Sequence, residues 1–284
     1  MNFSQPQANF YAPQGQDPSN ALASTTHLGI GAHADDLEIL AFPGIATCFQ
    51  DPKKHFSGVV VTDGAGAPRT GRFSSTPDTE LISLRQKEQR AAADLGKYAS
   101  VLQLAHPSTA VRQANRTPVV AELRQILEIA RPEVLYLHNP ADRHETHLGV
   151  LLACLEALRG LPAPALPKEV YGCEVWGDLD WVPSSHLVRL PCPAPETLGP
   201  SLLRCFQSQV EGGKRYDRAA IGRRHAHATF GNPTQPDSAE EVVFALDLRP
   251  LLETKVTLTE FLAPTLDLFR EQTLARLEKL SPQK

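Results

Sequence analysis

Nothing in this 284-residue chain points to a membrane or to an oxidising compartment. No apolar run approaches the ~18 residues needed to cross a bilayer, and the first residues lack a basic segment followed by an apolar stretch. The five cysteines, Cys48, Cys154, Cys173, Cys192 and Cys205, are odd in number and form no C-x-x-C, which argues against a disulfide framework and against a structural zinc knuckle. They are expected to be reduced, in a cytoplasmic protein. A dense Lys/Arg stripe is also missing. With 28 basic and 32 acidic residues the net charge is only −4, so nucleic acid is not an expected partner, and the one basic concentration, Arg215 to Arg224 with Lys214 beside it, reads first as a solvated helix face and second as a site for an anionic substrate group. No G-x-S-x-G occurs and no cysteine sits in a recognisable catalytic context, which removes the usual marks of a serine or thiol nucleophile. There is no internal repeat.

What the chain does have is alternation. Apolar, strand-like runs at His27 to Ala32, Phe56 to Thr62, Val101 to Leu104 and Val134 to Leu137 are separated by helical patterns. The helical patterns cover Leu37 to Gln50, Thr79 to Leu95, Thr117 to Ala130 and His144 to Leu158. This order predicts an α/β fold with a mostly parallel sheet flanked by helices. Pro162, Pro164 and Pro167 interrupt it before a strand-like Glu169 to Val175, which reads as a change of direction within a single domain. Residues 1–25, rich in Gln, Asn, Pro, Ser and Ala, are expected as a loose arm, with Phe3, Phe10 and Tyr11 available for docking, and residues 26–284 as the domain.

Two clusters of metal-binding residue types each follow a predicted strand. His33-Ala34-Asp35-Asp36-Leu37-Glu38 comes after the first, and Asp142-Arg143-His144-Glu145-Thr146-His147 after Val134 to Leu137. Imidazole with carboxylate suits Zn²⁺ or another divalent transition metal, and three protein ligands leave a position for water. Ligands collect at the carboxyl ends of strands in open α/β sheets, so the clusters can converge there. His33 and Asp36 can then face one ion, with Asp35 free to act as a general base on water; His147 is the expected third ligand and His144 faces the substrate. Taken singly, each cluster also reads as a turn or helix cap. A rival pattern overlaps the first: Gly29-Ile30-Gly31-Ala32-His33-Ala34 has the form G-x-G-x-x-A, which keeps a nucleotide-binding oxidoreductase as an alternative. The paired acids Asp35 and Asp36 would repel a pyrophosphate at the following helix. A non-catalytic metal- or sugar-binding protein is the other alternative.

Gly31-Ala-His-Ala-Asp-Asp-Leu-Glu38 resembles the A-H-P-D-D-x-E signature of the LmbE-like, or PIG-L, deacetylases, and Asp142-Arg-His-Glu-Thr-His-Leu-Gly149 resembles their second histidine motif. Leu84 to Glu88 is similar to the family's R-x-x-E helix, and Gln207-Ser208-Gln209 to its late S-Q motif. The resemblance covers about Thr25 to Gly231. It implies a Rossmann-like fold and a zinc-dependent hydrolase that removes an N-acetyl group from an amino-sugar-containing small molecule or glycoconjugate. It also implies His33, Asp36 and His147 as metal ligands, Asp35 as general base, His144 as transition-state stabiliser or acid, and Arg85 as a substrate-binding residue. A homo-oligomer is left open. Two positions depart from the family pattern: Ala34 stands where a proline is usual, and Thr146 where an acid usually precedes the last histidine.

Beyond these motifs, the loop Thr62 to Pro68 offers glycines for a turn or for backbone approach to a substrate. Trp176 and Trp181, in a segment with three acids, are candidates for stacking on a sugar or for the core.

Overall fold

Leu28 and Ile30, Val59 and Val61, Leu102 and Leu104, and Leu135 and Leu137 each stand two residues apart, and all eight side chains are fully buried. A two-residue period puts such pairs on one face of a sheet. They pack with Leu123, Ile126, Leu127, Val150, Leu151 and Cys154 on one side. The alternate residues Val60, Val101 and Tyr136 meet Leu37, Phe42 and Ile45 on the other. Both faces are therefore apolar, as expected of parallel strands covered by helices on each side.

The computed structural model describes residues 1, 3–231, 234–253 and 256–281. Its strands are β1 (Asn9–Tyr11), β2 (His27–Gly31), β3 (Phe56–Thr62), β4 (Ser100–His106), β5 (Val134–His138), β6 (Glu169–Cys173), β7 (Val188–Pro191) and β8 (Val242–Asp247). The helices are α1 (Pro18–Ala23), α2 (Asp36–Leu40), α3 (Phe42–Gln50), α4 (Asp78–Leu95), α5 (Ser108–Arg112), α6 (Thr117–Ala130), α7 (Glu145–Arg159), α8 (Leu198–Arg204), α9 (Gln207–Val210), α10 (Tyr216–Phe230) and α11 (Leu258–Leu280). The strands form one sheet in the order β1-β4-β3-β2-β5-β6-β8-β7. The inner five, β4 to β6, are parallel. At the margins, β1, β8 and β7 run antiparallel to their neighbours. The chain leaves β2 toward β3 and β4, then returns to place β5 on β2's other side. A crevice opens where strand order reverses, so the carboxyl ends of β2 and β5 form the natural binding position of this sheet. No helix among the described residues is long and apolar enough to cross a membrane.

Three expectations change. The helix expected over Leu37 to Gln50 is two helices, broken at Ala41, because Pro43 in the first turn of α3 has no N–H to give and its ring would crowd the preceding turn. The loose arm is packed: Asn9–Tyr11 adds a strand to β4, Ala21 and Leu22 are buried, and Ser4 N–H donates to Glu122 at 2.6 Å. Phe3 and Phe10 lie against the core, and the added strand pairs backbone groups that would otherwise be an open edge. The dinucleotide fingerprint does not form, since Gly29 lies inside β2 rather than at a turn and the helix that follows has only five residues.

Gly149 sets the approach of α7 to the end of α5. A Cβ there would stand 2.4 Å from the Val111 carbonyl oxygen. Gly149→Ala is expected to cost about 1–3 kcal/mol through overpacking, read as a lower urea midpoint at unchanged slope. An unchanged midpoint would mean that this contact does not limit the packing.

Candidate metal centre

The turn after β2 begins with a backbone that few side chains tolerate. Asp35 has φ 86° and ψ −21°, in the left-handed region, and opens α2 without capping it. Asp36 closes the turn by accepting the His33 N–H on Oδ2 at 2.7 Å. The same oxygen lies 3.3 Å from His33 Nδ1 and 3.5 Å from His147 Nε2, and the two imidazole nitrogens are 3.2 Å apart. Three donor atoms from β2's turn and α7 thus form a nearly equilateral triangle. His147 is held from behind, with Nδ1 3.2 Å from Asp142 Oδ2. Asp142 also accepts the His144 N–H at 2.9 Å and the Trp176 N–H at 3.1 Å, so one carboxylate orients three parts of the site.

The two adjacent acids are pushed apart. Burial opposes ionisation of Asp36, but His147, His33 and His138 around it hold its carboxyl well below the usual range. Asp35 is raised well above its ordinary value by burial and by the charge of Asp36, against the pull of Arg85. Its Oδ2 is buried with no hydrogen-bond partner. His144 accepts the Thr146 N–H on Nδ1 at 3.2 Å, which leaves the proton of the neutral ring on Nε2. Burial and the neighbouring His147 and His33 lower its pKa, so neutral is the favoured form.

Arg85 is only 2 % exposed. Its Nη1 donates to the Gly64 carbonyl at 3.1 Å, while Nε and Nη2 have no partner. Glu88 is occupied elsewhere, accepting the backbone N–H and hydroxyl of Ser208 at 2.7 and 2.6 Å. The R-x-x-E helix and the S-Q segment are therefore joined, through Glu88 rather than through Arg85.

Of these groups, His33, Asp35, Asp36, Arg85, His144 and Trp176 line a cavity of about 510 Å³. Gly64 and Gly66 form part of its wall. The tryptophans separate: Trp176 lines the cavity, whereas Trp181 packs edge-on against Phe269 of α11 with ring centroids 6.0 Å apart. The basic segment also divides. Lys214 and Arg223 reach the cavity, Arg215 pairs with Asp217, and Arg224 is buried against Glu241.

One residue escaped the sequence reading. His138, at the end of β5, is fully buried, accepts the Ala32 N–H on Nε2 at 2.9 Å, and stacks on His147 with ring centroids 4.0 Å apart. Its Nε2 is 3.5 Å from Asp36 Oδ2. Burial, then His147, lowers its pKa to about 3, so it serves as a neutral ring. Its signal was the polar residue closing an apolar run beside the strand of the first cluster.

The family model PIG-L, described as GlcNAc-PI de-N-acetylase, matches residues 28–158. Comparison with curated proteins gives no match. Among solved structures, the N,N'-diacetylchitobiose deacetylase of Pyrococcus horikoshii is 17% identical, with 85% of this chain and 90% of that one covered at a TM-score of 0.60. The 4-carboxy-2-hydroxymuconate hydratase of Pseudomonas putida is 16% identical, with 82% and 98% covered at 0.59. A deacetylase of the A40926 pseudoaglycone is 14% identical, with 80% and 98% covered at 0.58. At these identities the structures share the fold, and a hydratase among them is a reminder that chemistry is read from the site.

Glu38, in the same turn-and-helix segment, supplies a test of the site's electrostatics. Its Oε1 accepts from Tyr98 Oη and Gln89 Nε2, both at 2.8 Å, and Oε2 is buried without a partner. Burial pushes its carboxyl up from 4.5 to about 7. A raised acid holds its proton more tightly when folded, so this group's contribution to stability falls as pH rises from 4.5 to about 7. Glu38→Gln is expected to raise the melting temperature at about pH 8 and to change it little at about pH 4.5; equal shifts at the two values would contradict this.

Proposed function

We propose that this chain, whose residues 28–158 match the PIG-L family model, is a zinc-dependent N-deacetylase of that family acting on an amino-sugar-containing small molecule or glycoconjugate. The observation that carries the reading is a triangle of three donor atoms next to a buried carboxylate oxygen that has no partner.

The donor set fits a metal ion. Bonds of ~2.1 Å at tetrahedral angles place donors about 3.4 Å apart, and the three observed separations are 3.2, 3.3 and 3.5 Å. Two imidazoles and a carboxylate suit Zn²⁺, and three protein ligands leave room for water. His33, Asp36 and His147 are the proposed ligands. His138 is outside this set because its Nε2 already accepts the Ala32 N–H. The five free thiols support a reducing, cytoplasmic setting.

When bound, the ion supplies a Lewis acid for the acyl oxygen and for water. A bound cation together with Arg85 would draw Asp35 into its ionised form; Asp35 then takes the proton from the water that adds to the acyl carbon and delivers it to the amine nitrogen as the C–N bond breaks. His144 presents Nε2–H to the acyl oxygen as negative charge collects there. Arg85 keeps its Nε and Nη2 for a sugar hydroxyl, with Nη1 anchored on Gly64.

Purified protein is expected to hold about one zinc ion per chain and to release acetate from N-acetylated amino sugars. Asp35→Asn should retain the ion and lose about 10²–10⁴-fold in kcat, since asparagine accepts the left-handed backbone but cannot take the proton. His147→Ala should lose the ion. Absence of metal from the wild-type chain would overturn the reading; bound metal without acetate release from any N-acetyl substrate would redirect it toward another reaction on the same centre.

A further inference from the structure

Gln209 carries an amide oxygen that the fold does not use. The residue lines the cavity and is only 6 % exposed, and its Oε1 is buried without a hydrogen-bond partner. Its backbone, by contrast, is committed: the N–H donates to the Phe206 carbonyl at 3.0 Å, and the carbonyl accepts the Lys214 N–H at 2.9 Å. A buried acceptor left unpaired weakens the folded state, so such atoms are few and call for a use.

The placement of Gln209 follows from its neighbour. Ser208 donates its N–H and its hydroxyl to the two oxygens of Glu88, at 2.7 and 2.6 Å. Glu88 lies one turn after Arg85 on α4, and side chains three positions apart share a helix face. This chain of contacts fastens the Gln209 segment to the helix that carries Arg85, and both residues line the same cavity. Arg85 Nε and Nη2 are likewise buried without partners, and Arg85 feels the charge of Asp35, the acid assigned to the acyl group.

The unpaired atoms are complementary in kind. Guanidinium N–H groups only donate, so Arg85 alone does not tell a hydroxyl from an ether oxygen. An amide oxygen only accepts, so Gln209 Oε1 requires a hydrogen from the ligand. A hydroxyl satisfies both at once. In a glycoside of a 2-acetamido sugar, the free hydroxyl nearest the acetamide is the one on carbon 3.

We propose that Gln209 is a specificity residue that accepts the hydrogen of the substrate's 3-hydroxyl while Arg85 donates to its oxygen. The site then takes amino sugars with a free 3-hydroxyl and rejects those whose 3-oxygen is etherified. This rests on the deacetylase reading and narrows its substrate class.

The test compares kcat/KM for the methyl glycoside of N-acetylglucosamine with that for its 3-deoxy-3-fluoro analogue, in the wild-type chain and in Gln209→Met. Fluorine fills the hydroxyl's place but cannot donate, and its inductive effect on the amide is common to both proteins. Calorimetric binding of the two glycosides is measured in parallel on Asp35→Asn protein with and without Gln209→Met. The wild-type chain is expected to prefer the hydroxyl by about 10–100-fold. In Gln209→Met the ratio should fall toward one while the melting temperature holds or rises, because methionine leaves no buried acceptor unpaired. Acetate release with equal kcat/KM for the two glycosides in the wild-type chain, or a preference unaltered in Gln209→Met, would overturn the assignment and leave the deacetylase reading standing. Calorimetric discrimination that is lost in Gln209→Met, without acetate release from either glycoside by the wild-type chain, would keep the assignment and remove the deacetylase reading instead.

Discussion

One oxygen atom, Oδ2 of Asp36, gathers the centre. It accepts the His33 N–H at 2.7 Å and lies within 3.5 Å of nitrogens from His33, His138 and His147. These groups come from β2's turn, the end of β5 and the first turn of α7. A buried carboxylate surrounded by imidazoles stays ionised where an isolated one would not, and its hydrogen bond to His33 N–H holds the turn on which Asp35 is displayed. Without it, the turn would lose the bond that fixes its shape and the imidazoles would face one another with no charge between them.

The neighbouring carboxylate shows how much environment decides. Asp35 and Asp36 are adjacent in sequence and equally buried, yet one is held ionised and the other is pushed toward its protonated form. Two like acids whose environments separate them can take different chemical tasks. Asp35 opens α2 with a left-handed backbone and feels the charges of Asp36 and Arg85, whereas Asp36 is surrounded by the histidines. A strained residue at such a point is consistent with geometry maintained for use rather than for stability.

The parallel sheet was legible because each strand's apolar run ended in turn or polar residues, and the two histidine clusters were legible because each followed such a run. Their convergence then followed from β2 and β5 being neighbours. His138 was hidden because a single histidine closing Val134-Leu135-Tyr136-Leu137 has no motif, and its partner, the Ala32 N–H, lies 106 positions away. Composition misled at residues 1–25: low charge and many prolines describe a chain that cannot make its own core, but three residues suffice to pair with an edge strand that already exists. Trp176 and Trp181 could not be told apart in sequence, since both suit a sugar face or a core, and only the path of the chain after β6 sends one to the cavity and the other to α11.

That amino-terminal strand has a practical side. The Gln7 carbonyl accepts from Gln86 Nε2 at 2.8 Å, Tyr11 Oη donates to Asp94 at 2.7 Å, and Arg90 lies over the Tyr11 ring. Every one of these partners is on α4, the helix that carries Arg85. The first residues therefore act as a tether on the wall of the cavity. An affinity tag or a trimmed start at that end would tug on or release the arginine helix, whereas α11, whose last turn leaves Leu277 and Leu280 in solvent, offers an attachment point remote from the chemistry.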